Sequence, residues 1–274
     1  MQSTLDWQQI LTECKTSIQT AIKPCLKNIS EHQPHLGIGA GGDLMKPVDL
    51  AAETAIVQTL QMHEISFTLI SEESGIKEYG EYPQGIYICT DPIDGTTNLV
   101  HGLPFFASSI AVADKPELVA VYAGMVMDLV HNETFFAQRG QGAYYNGQPI
   151  HTSKTQSIDE AVIGLDLNAY KAKLNMVIAA NLIENVKHTR HFGANALEVS
   201  HVAAGLTDAF VDLRNKIRTT DVAAGFLIAK EAGAIITDAD NKPINLPLDP
   251  KQKLNFVASA NNELHKQILS LIKR

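Results

Sequence analysis

From residue 102 to residue 150, short strand-forming runs follow one another with no helix-length segment between them. Ser108-Ser109-Ile110-Ala111-Val112 is one run, residues 118–130 are the next, and Glu133-Thr134-Phe135-Phe136 returns after a polar turn. Asn146-Gly147, between Tyr144-Tyr145 and Gln148-Pro149-Ile150, is a two-residue hairpin signal, because both central positions of such a turn need positive φ. A largely antiparallel meander is the architecture this pattern allows. Past residue 150 the pattern changes to alternation. Strands are expected at 162–165, 188–192, 209–212, 234–237 and 255–260, with helices at 170–184, 196–204, 221–232 and 262–272. The chain thus divides into an N-terminal α+β half, residues 1–150, and a C-terminal α/β half, residues 151–274. With no repeat, low-complexity tract or long linker between them, the halves are expected to share an extensive interface.

Ahead of the meander, Trp7, Leu11, Cys14, Ile18, Ile22, Cys25 and Ile29 recur at spacings of three or four and mark an amphipathic helix, with Pro24 a candidate kink. Residues 30–43 are a glycine-rich loop, expected to be mobile. Its Gly37-Ile38-Gly39-Ala40-Gly41-Gly42 follows no strand and lacks the spacing of a dinucleotide fingerprint. A second helix spans 46–62, and Asp49 near its start has the position of a cap. A strand at 67–70 delivers Ser71-Glu72-Glu73-Ser74-Gly75, which is either solvated surface or part of a site built at a strand end.

The next strand, Ile86-Tyr87-Ile88-Cys89, is expected to end at Pro92 and leads into Asp91-Pro92-Ile93-Asp94-Gly95-Thr96-Thr97-Asn98. Two carboxylates on a tight turn offer the hard oxygen donors that suit Mg²⁺. Backbone N–H groups after a glycine suit a phosphate. The same residues also describe an Asx-turn that only caps the backbone. Far downstream, Asp221 opens a helix with small residues behind it; it reads as an N-cap or as an anion-handling position at the helix start.

The charge balance, 22 Lys+Arg against 30 Asp+Glu, gives a formal net charge of −8. With no Lys/Arg block, neither nucleic acid nor an anionic membrane is an expected partner. An acidic protein that handles a phosphate ester needs cations to receive it, and metal ions can supply them. No apolar run reaches membrane-spanning length. The N-terminus is polar, and Cys14, Cys25 and Cys89 form no CxxC pair, so a reducing cytoplasm is the expected location.

Taken in order, Glu72-Glu73-Ser74, then Asp91 through Asn98, then Asp221-x-x-Ala224-Gly225 with Glu231-Ala232-Gly233, resemble the three signatures of the inositol monophosphatase family. Thr220 is a departure, since many members carry Trp before the aspartate. Residues 212–221 and Gly39-Ala40-Gly41-Gly42-Asp43 are instead similar to the archaeal-type members, which hydrolyse both fructose 1,6-bisphosphate and inositol monophosphate. The resemblance implies an α+β/α/β fold, a layered αβαβα sandwich of the sugar phosphatase type, in a homodimer. It implies a Mg²⁺-dependent phosphomonoesterase with two or three ions per site. Glu72, Asp91, the Ile93 carbonyl, Asp94 and Asp221 match the metal ligands. Thr96 with Asp49 matches the pair that orients and deprotonates the attacking water, with Glu72 sharing that role or holding a third ion. The N–H groups of Gly95 and Thr96 match the phosphate cradle. The chemistry is consistent: two ions a few ångströms apart clamp the attacking and leaving oxygens of an in-line displacement.

Substrate choice falls to the second half. Arg214, Lys216 and Arg218 are either solvated surface charges or donors to a second phosphate. Asp212 is a candidate for sugar hydroxyls, with Asn195 and Tyr170 as weaker ones. His188 and His191 lack the companions of a zinc site and stay unassigned. Two rival readings remain: a 3′-phosphonucleotide or NADP phosphatase on the same site, and a regulatory or RNA-processing partner that keeps the fold but works by binding.

Overall fold

The computed structural model describes residues 5–26, 36–168, 170 and 176–273. Among these, the chain opens with α1 (Trp7–Leu26) and α2 (Pro47–Met62). It continues with β1 (Phe67–Ser71), β2 (Gly75–Tyr79), β3 (Tyr87–Asp94), a short α3 (Thr96–Val100) and β4 (Ala107–Ala113). Then come β5 (Val121–Asp128), β6 (Glu133–Gln138), β7 (Ala143–Tyr145) and β8 (Gln148–Ile150). These strands form one eight-stranded sheet in the order β2-β1-β3-β4-β5-β6-β7-β8. From β3 to β8 it is an antiparallel meander, while β1 and β3 run parallel.

The second half supplies β9 (Val162–Leu165), α4 (Met176–Asn185), β10 (His188–Arg190), α5 (Asn195–Ala203) and β11 (Ala209–Asp212). It ends with α6 (Thr219–Glu231), β12 (Ile235–Thr237), β13 (Phe256–Ser259) and α7 (Asn262–Ile272). Its strands make a five-stranded sheet ordered β10-β9-β11-β13-β12.

Strand periodicity explains the layering. Along β4, Ile110 and Val112 face the α1/α2 layer, packing with Trp7, Leu11, Cys14, Ile18 and Ile22 of α1. Ala107, Ala111 and Ala113, on the alternate positions, face α5 and α6. The small residues there matter. Gly124 of β5 lies so close to Ala224 of α6 that a Cβ would sit 3.0 Å from its Cα. Strands β3 and β4 are buried on both faces along nearly their whole length, which is why they show no alternation of polar and apolar residues. On their other side, α5 and α6 meet Phe210 and Phe256 of the second sheet. That sheet's far face packs Ile163, Val211 and Val257 against Leu182 of α4 and Leu264 and Ile268 of α7. The result is the expected αβαβα sandwich, and its middle helix layer shares one core with both sheets.

Several local expectations are corrected. Pro92 does not end β3; a register shift between Asp91 and Asp94 absorbs it, and pairing with β4 resumes at Asp94–Ala107. Residues 75–79, where no element was expected, form β2, an exposed edge strand whose side chains gave no apolar signal. Residues 118–130 split, because Leu118–Ala120 form a 3₁₀ turn before β5. Tyr170 stands in a turn and not in α4, which begins at Met176. Helix α6 begins at Thr219, so Asp221 is its third residue rather than its cap. The expected tail of the first helix at 27–29, residues 30–35 of the glycine-rich loop, and residues 171–175 lie outside the described residues.

Candidate active site

The parallel pairing of β1 with β3 sets the site. Parallel strands bring their carboxyl ends to the same edge, and here Ser71 is paired with Thr90. The next residues, Glu72 and Asp91, therefore emerge side by side. The first turn of α6 brings Asp221 to meet them, so that carboxylate oxygens of Glu72, Asp91 and Asp221 all lie within 4.8 Å of one another. Asp221 is held there by accepting the Arg218 N–H at 2.9 Å. Asp91 accepts the Ile93 N–H at 3.1 Å inside the bulge.

Burial and mutual repulsion together disfavour three charges at this spacing. Burial, then Asp221, pushes the Glu72 carboxyl well above its ordinary range, against the opposing pull of Arg218. Burial, then Glu72 and Asp94, does the same to Asp91. Asp221 is raised by burial, with Arg218 opposing. A cluster of hard oxygen donors that repel one another fits a hard cation, which would relieve the repulsion directly.

Asp94 stands beside this triad. Its two oxygens accept the Asn195 N–H at 2.9 Å and the Ala196 N–H at 2.7 Å, so it docks the start of α5 onto the bulge. Burial and Asp221 push its carboxyl up to about 7. Gly95 follows with φ +87, and a Cβ there would meet Ala194 Cβ and the Phe105 carbonyl at 3.1 Å. Only glycine fits this conformation and this clearance. The turn then becomes α3, whose first N–H groups have no partners within the helix itself.

The Thr96 hydroxyl lies 2.8 Å from the Ile93 carbonyl and 3.2 Å from Asp49 Oδ1. The other Asp49 oxygen accepts the Lys46 N–H at 2.7 Å, which fixes the carboxylate on the first turn of α2. Burial pushes the Asp49 carboxyl up to about 6, so it titrates nearer neutrality than a solvated aspartate.

The residues expected to select the substrate are arranged differently. Arg214 and Arg218 both point inward, and both end on carboxylates. Arg214 is buried; its Nε donates to Asp212 at 2.8 Å, its Nη2 bonds Asp212 and lies 2.5 Å from Asp166, and its Nη1 donates to the Asn168 carbonyl. Asp212 is fully buried beneath it. Arg218 does not join this group. Its Nη1 donates to Glu72 at 2.5 Å and its Nη2 bonds Asp43, which places it in the metal-type cluster. Lys216 Nζ donates to the Tyr170 carbonyl at 3.2 Å, and the Tyr170 ring is largely exposed. Asn195, at the start of α5, has a buried side-chain oxygen with no hydrogen-bond partner among the described residues.

Sequence reasoning passed over Glu53, Asp166 and Glu198, left His191 unassigned, and gave Asp43 no role beyond the glycine-loop resemblance. Glu53 lies one helical turn after Asp49 and accepts from the Ser71 hydroxyl and the Ser74 N–H, bracing the Glu72 loop. Its i, i+4 spacing from Asp49 was the available signal. Asp166, just past β9, pairs with His191 at 3.3 Å, and its place at a strand end was the signal there. Glu198 accepts the Gly193 N–H at 3.0 Å, and burial pushes its carboxyl up to about 8. A second acidic group, Asp128 with His131 and Glu133, lies on the β5–β6 hairpin, where Asp128 accepts the Val130 and His131 N–H groups of the turn.

Family and fold define a metal-dependent phosphoric monoester hydrolase. The inositol monophosphatase family model matches residues 7–274. A fructose-1,6-bisphosphatase/inositol-1-monophosphatase from Methanothermobacter thermautotrophicus is 32% identical over 97% of this chain and 96% of its own. The Nus factor SuhB of Salmonella typhimurium is 37% identical over 72% of each chain. The crystal structure of an inositol monophosphatase-fructose 1,6 bisphosphatase superposes with a TM-score of 0.86 at 28% identity, over 97% of this chain and all of the other. The chain belongs to the inositol monophosphatase family.

Proposed function

We propose that the protein is a Mg²⁺-dependent phosphatase of fructose 1,6-bisphosphate and inositol monophosphate, acting as a cytoplasmic homodimer in sugar-phosphate metabolism. The observation that carries the metal chemistry is the repelling oxygen cluster of Glu72, Asp91 and Asp221, within 4.8 Å of one another and offset by a single guanidinium, that of Arg218. Asp94 and the Ile93 carbonyl complete the ligand set. Bound Mg²⁺ supplies a water of lowered pKa and stabilises the departing alkoxide.

The protein's own groups do the rest. Asp49 holds the Thr96 hydroxyl in place and takes the proton that this hydroxyl passes from the attacking water. The N–H groups of Gly95 and Thr96 receive the phosphate oxygens. The Asn195 side chain, with its unpartnered oxygen, accepts from a hydroxyl of the substrate. Asp212 and Arg214 serve this reaction by ordering the wall at Asp166–Asn168. Lys216, with Tyr170 beside it, is the cation assigned to a distal phosphate, because Arg214 is committed to Asp212 and Asp166.

The test is a phosphate-release panel with purified protein and Mg²⁺ on fructose 1,6-bisphosphate, inositol 1-phosphate, NADP and a 3′-phosphonucleotide. Turnover of the first two, abolished by chelation, is expected. Exclusive turnover of a nucleotide would overturn the substrate assignment. No release from any substrate would favour the binding-partner reading.

A further inference from the structure

We infer that Arg218 is the internal cation of the metal-free active site, and that metal loading has to exchange it out of the carboxylate cluster. The inference rests on the metal reading above and concerns what this chain does with those carboxylates before metal arrives. Arg218 immediately precedes α6, and its backbone N–H is tied to Asp221. From that fixed point its guanidinium reaches across the cluster. Nη1 donates to Glu72 Oε2 at 2.5 Å and stands 3.9 Å from Asp221 Oδ1, while Nη2 bonds Asp43. The Arg218 side chain is only 10% exposed, and its buried Nε has no hydrogen-bond partner among the described residues. A guanidinium that leaves a buried donor unmet is held by the charges around it more than by a complete hydrogen-bond set.

The glycine loop closes over this pair. The Gly41 N–H donates to the Glu72 carbonyl at 2.7 Å and the Ala40 N–H to the Glu73 carbonyl at 2.9 Å. A Cβ on Gly41 would stand 3.0 Å from both Cζ and Nε of Arg218 and 3.2 Å from Glu72 Cβ. The loop backbone therefore lies directly on the guanidinium, and Asp43 ties down its outer end. A divalent ion and this guanidinium would compete for the same Glu72 carboxylate and repel one another across it. The ion is favoured by its double charge, and Arg218 by having no entropy of association to lose. Arg218 thus stabilises the metal-free protein and weakens its hold on metal, and its departure would free Asp43 and the loop it anchors.

Titration calorimetry with Mg²⁺ alone, on the full chain stripped with EDTA, tests this. Arg218→Met should bind Mg²⁺ about tenfold more tightly than wild type, the size expected for losing one charge-assisted competitor. Its thermal midpoint without metal should fall, and the rise on adding Mg²⁺ should exceed that of wild type. Asp43→Asn leaves Arg218 and every ligand in place and removes one of the two carboxylates hydrogen-bonded to the guanidinium. It should tighten Mg²⁺ binding by a smaller factor, about two- to threefold. If Arg218→Met does not fold without metal, Asp43→Asn decides. Binding in both variants that is unchanged or weaker, with wild type binding normally, overturns the inference alone. Wild type that binds no Mg²⁺ overturns it together with the metal reading.

Discussion

Two buried clusters of carboxylate and arginine lie in this molecule, and they are built to opposite ends. In the first, Glu72, Asp91 and Asp221 crowd together with a single guanidinium at their edge. In the second, Arg214 lies between Asp212 and Asp166, with all three of its side-chain nitrogens hydrogen-bonded. The first keeps an excess of negative charge, and its carboxyls are forced well up from their ordinary range. The second comes close to internal balance: burial raises Asp212, and the Arg214 hydrogen bonds and charge pull against it. A buried carboxylate group thus announces a cation site by what it leaves uncompensated, and a structural joint by what it satisfies.

Asp91→Asn breaks the comparison from the first side. It should cost about three orders of magnitude in phosphate release, measured as kcat with Mg²⁺ on fructose 1,6-bisphosphate. In the metal-free protein it removes a repelling charge, so the thermal midpoint should hold or rise. Arg214→Met tests the second side and should do the reverse. Leaving Asp212 and Asp166 buried without their partner should cost about 3 kcal/mol in denaturant unfolding, whether or not metal is present. Equal behaviour of the two variants would dissolve the distinction.

The smallest effect belongs to Glu198, a buried carboxyl outside both clusters. Burial pushes its carboxyl in the folded protein up to about 8, from an ordinary value of 4.5. Between those values the folded state holds a proton that the unfolded state has released, so stability is present below the lower value and is lost as pH rises toward the upper one. The slope should be at most about 1.4 kcal/mol per pH unit. Glu198→Gln should flatten it in urea unfolding measured from pH 5 to 8. An unchanged slope would mean that Glu198 is ionised in the folded protein.

Much of the first cluster was legible in the residues. Oxygen donors on the turn after a strand, a glutamate at the end of the preceding strand and an aspartate at a helix start are local features, and their order along the chain carried the resemblance. The layers came from that resemblance; periodicity marked the helices and strands, but central strands buried on both faces carry no alternation that would assign their faces. Edge strand β2 was not legible, since Gly75-Ile76-Lys77-Glu78-Tyr79 exposes its middle residues and leaves no apolar alternation. Pro92 misled for a related reason: proline removes one ladder donor, and only the register with β4 shows that a bulge absorbs the loss.

Arg214 and Arg218 illustrate the remaining limit. By itself, the sequence determined that several cations lie just ahead of Asp221, and that carboxylates wait at Glu72, Asp91 and Asp94. Which cation meets which carboxylate was decided only by the tertiary structure. Glu72 and Asp43 are 146 and 175 residues away from Arg218 along the chain. They meet it because β1 lies parallel to β3, α6 packs beneath that pair, and the glycine loop folds over the joint. Local sequence fixes the charge and reach of a side chain, but a long-range electrostatic partner exists only once the layers have closed.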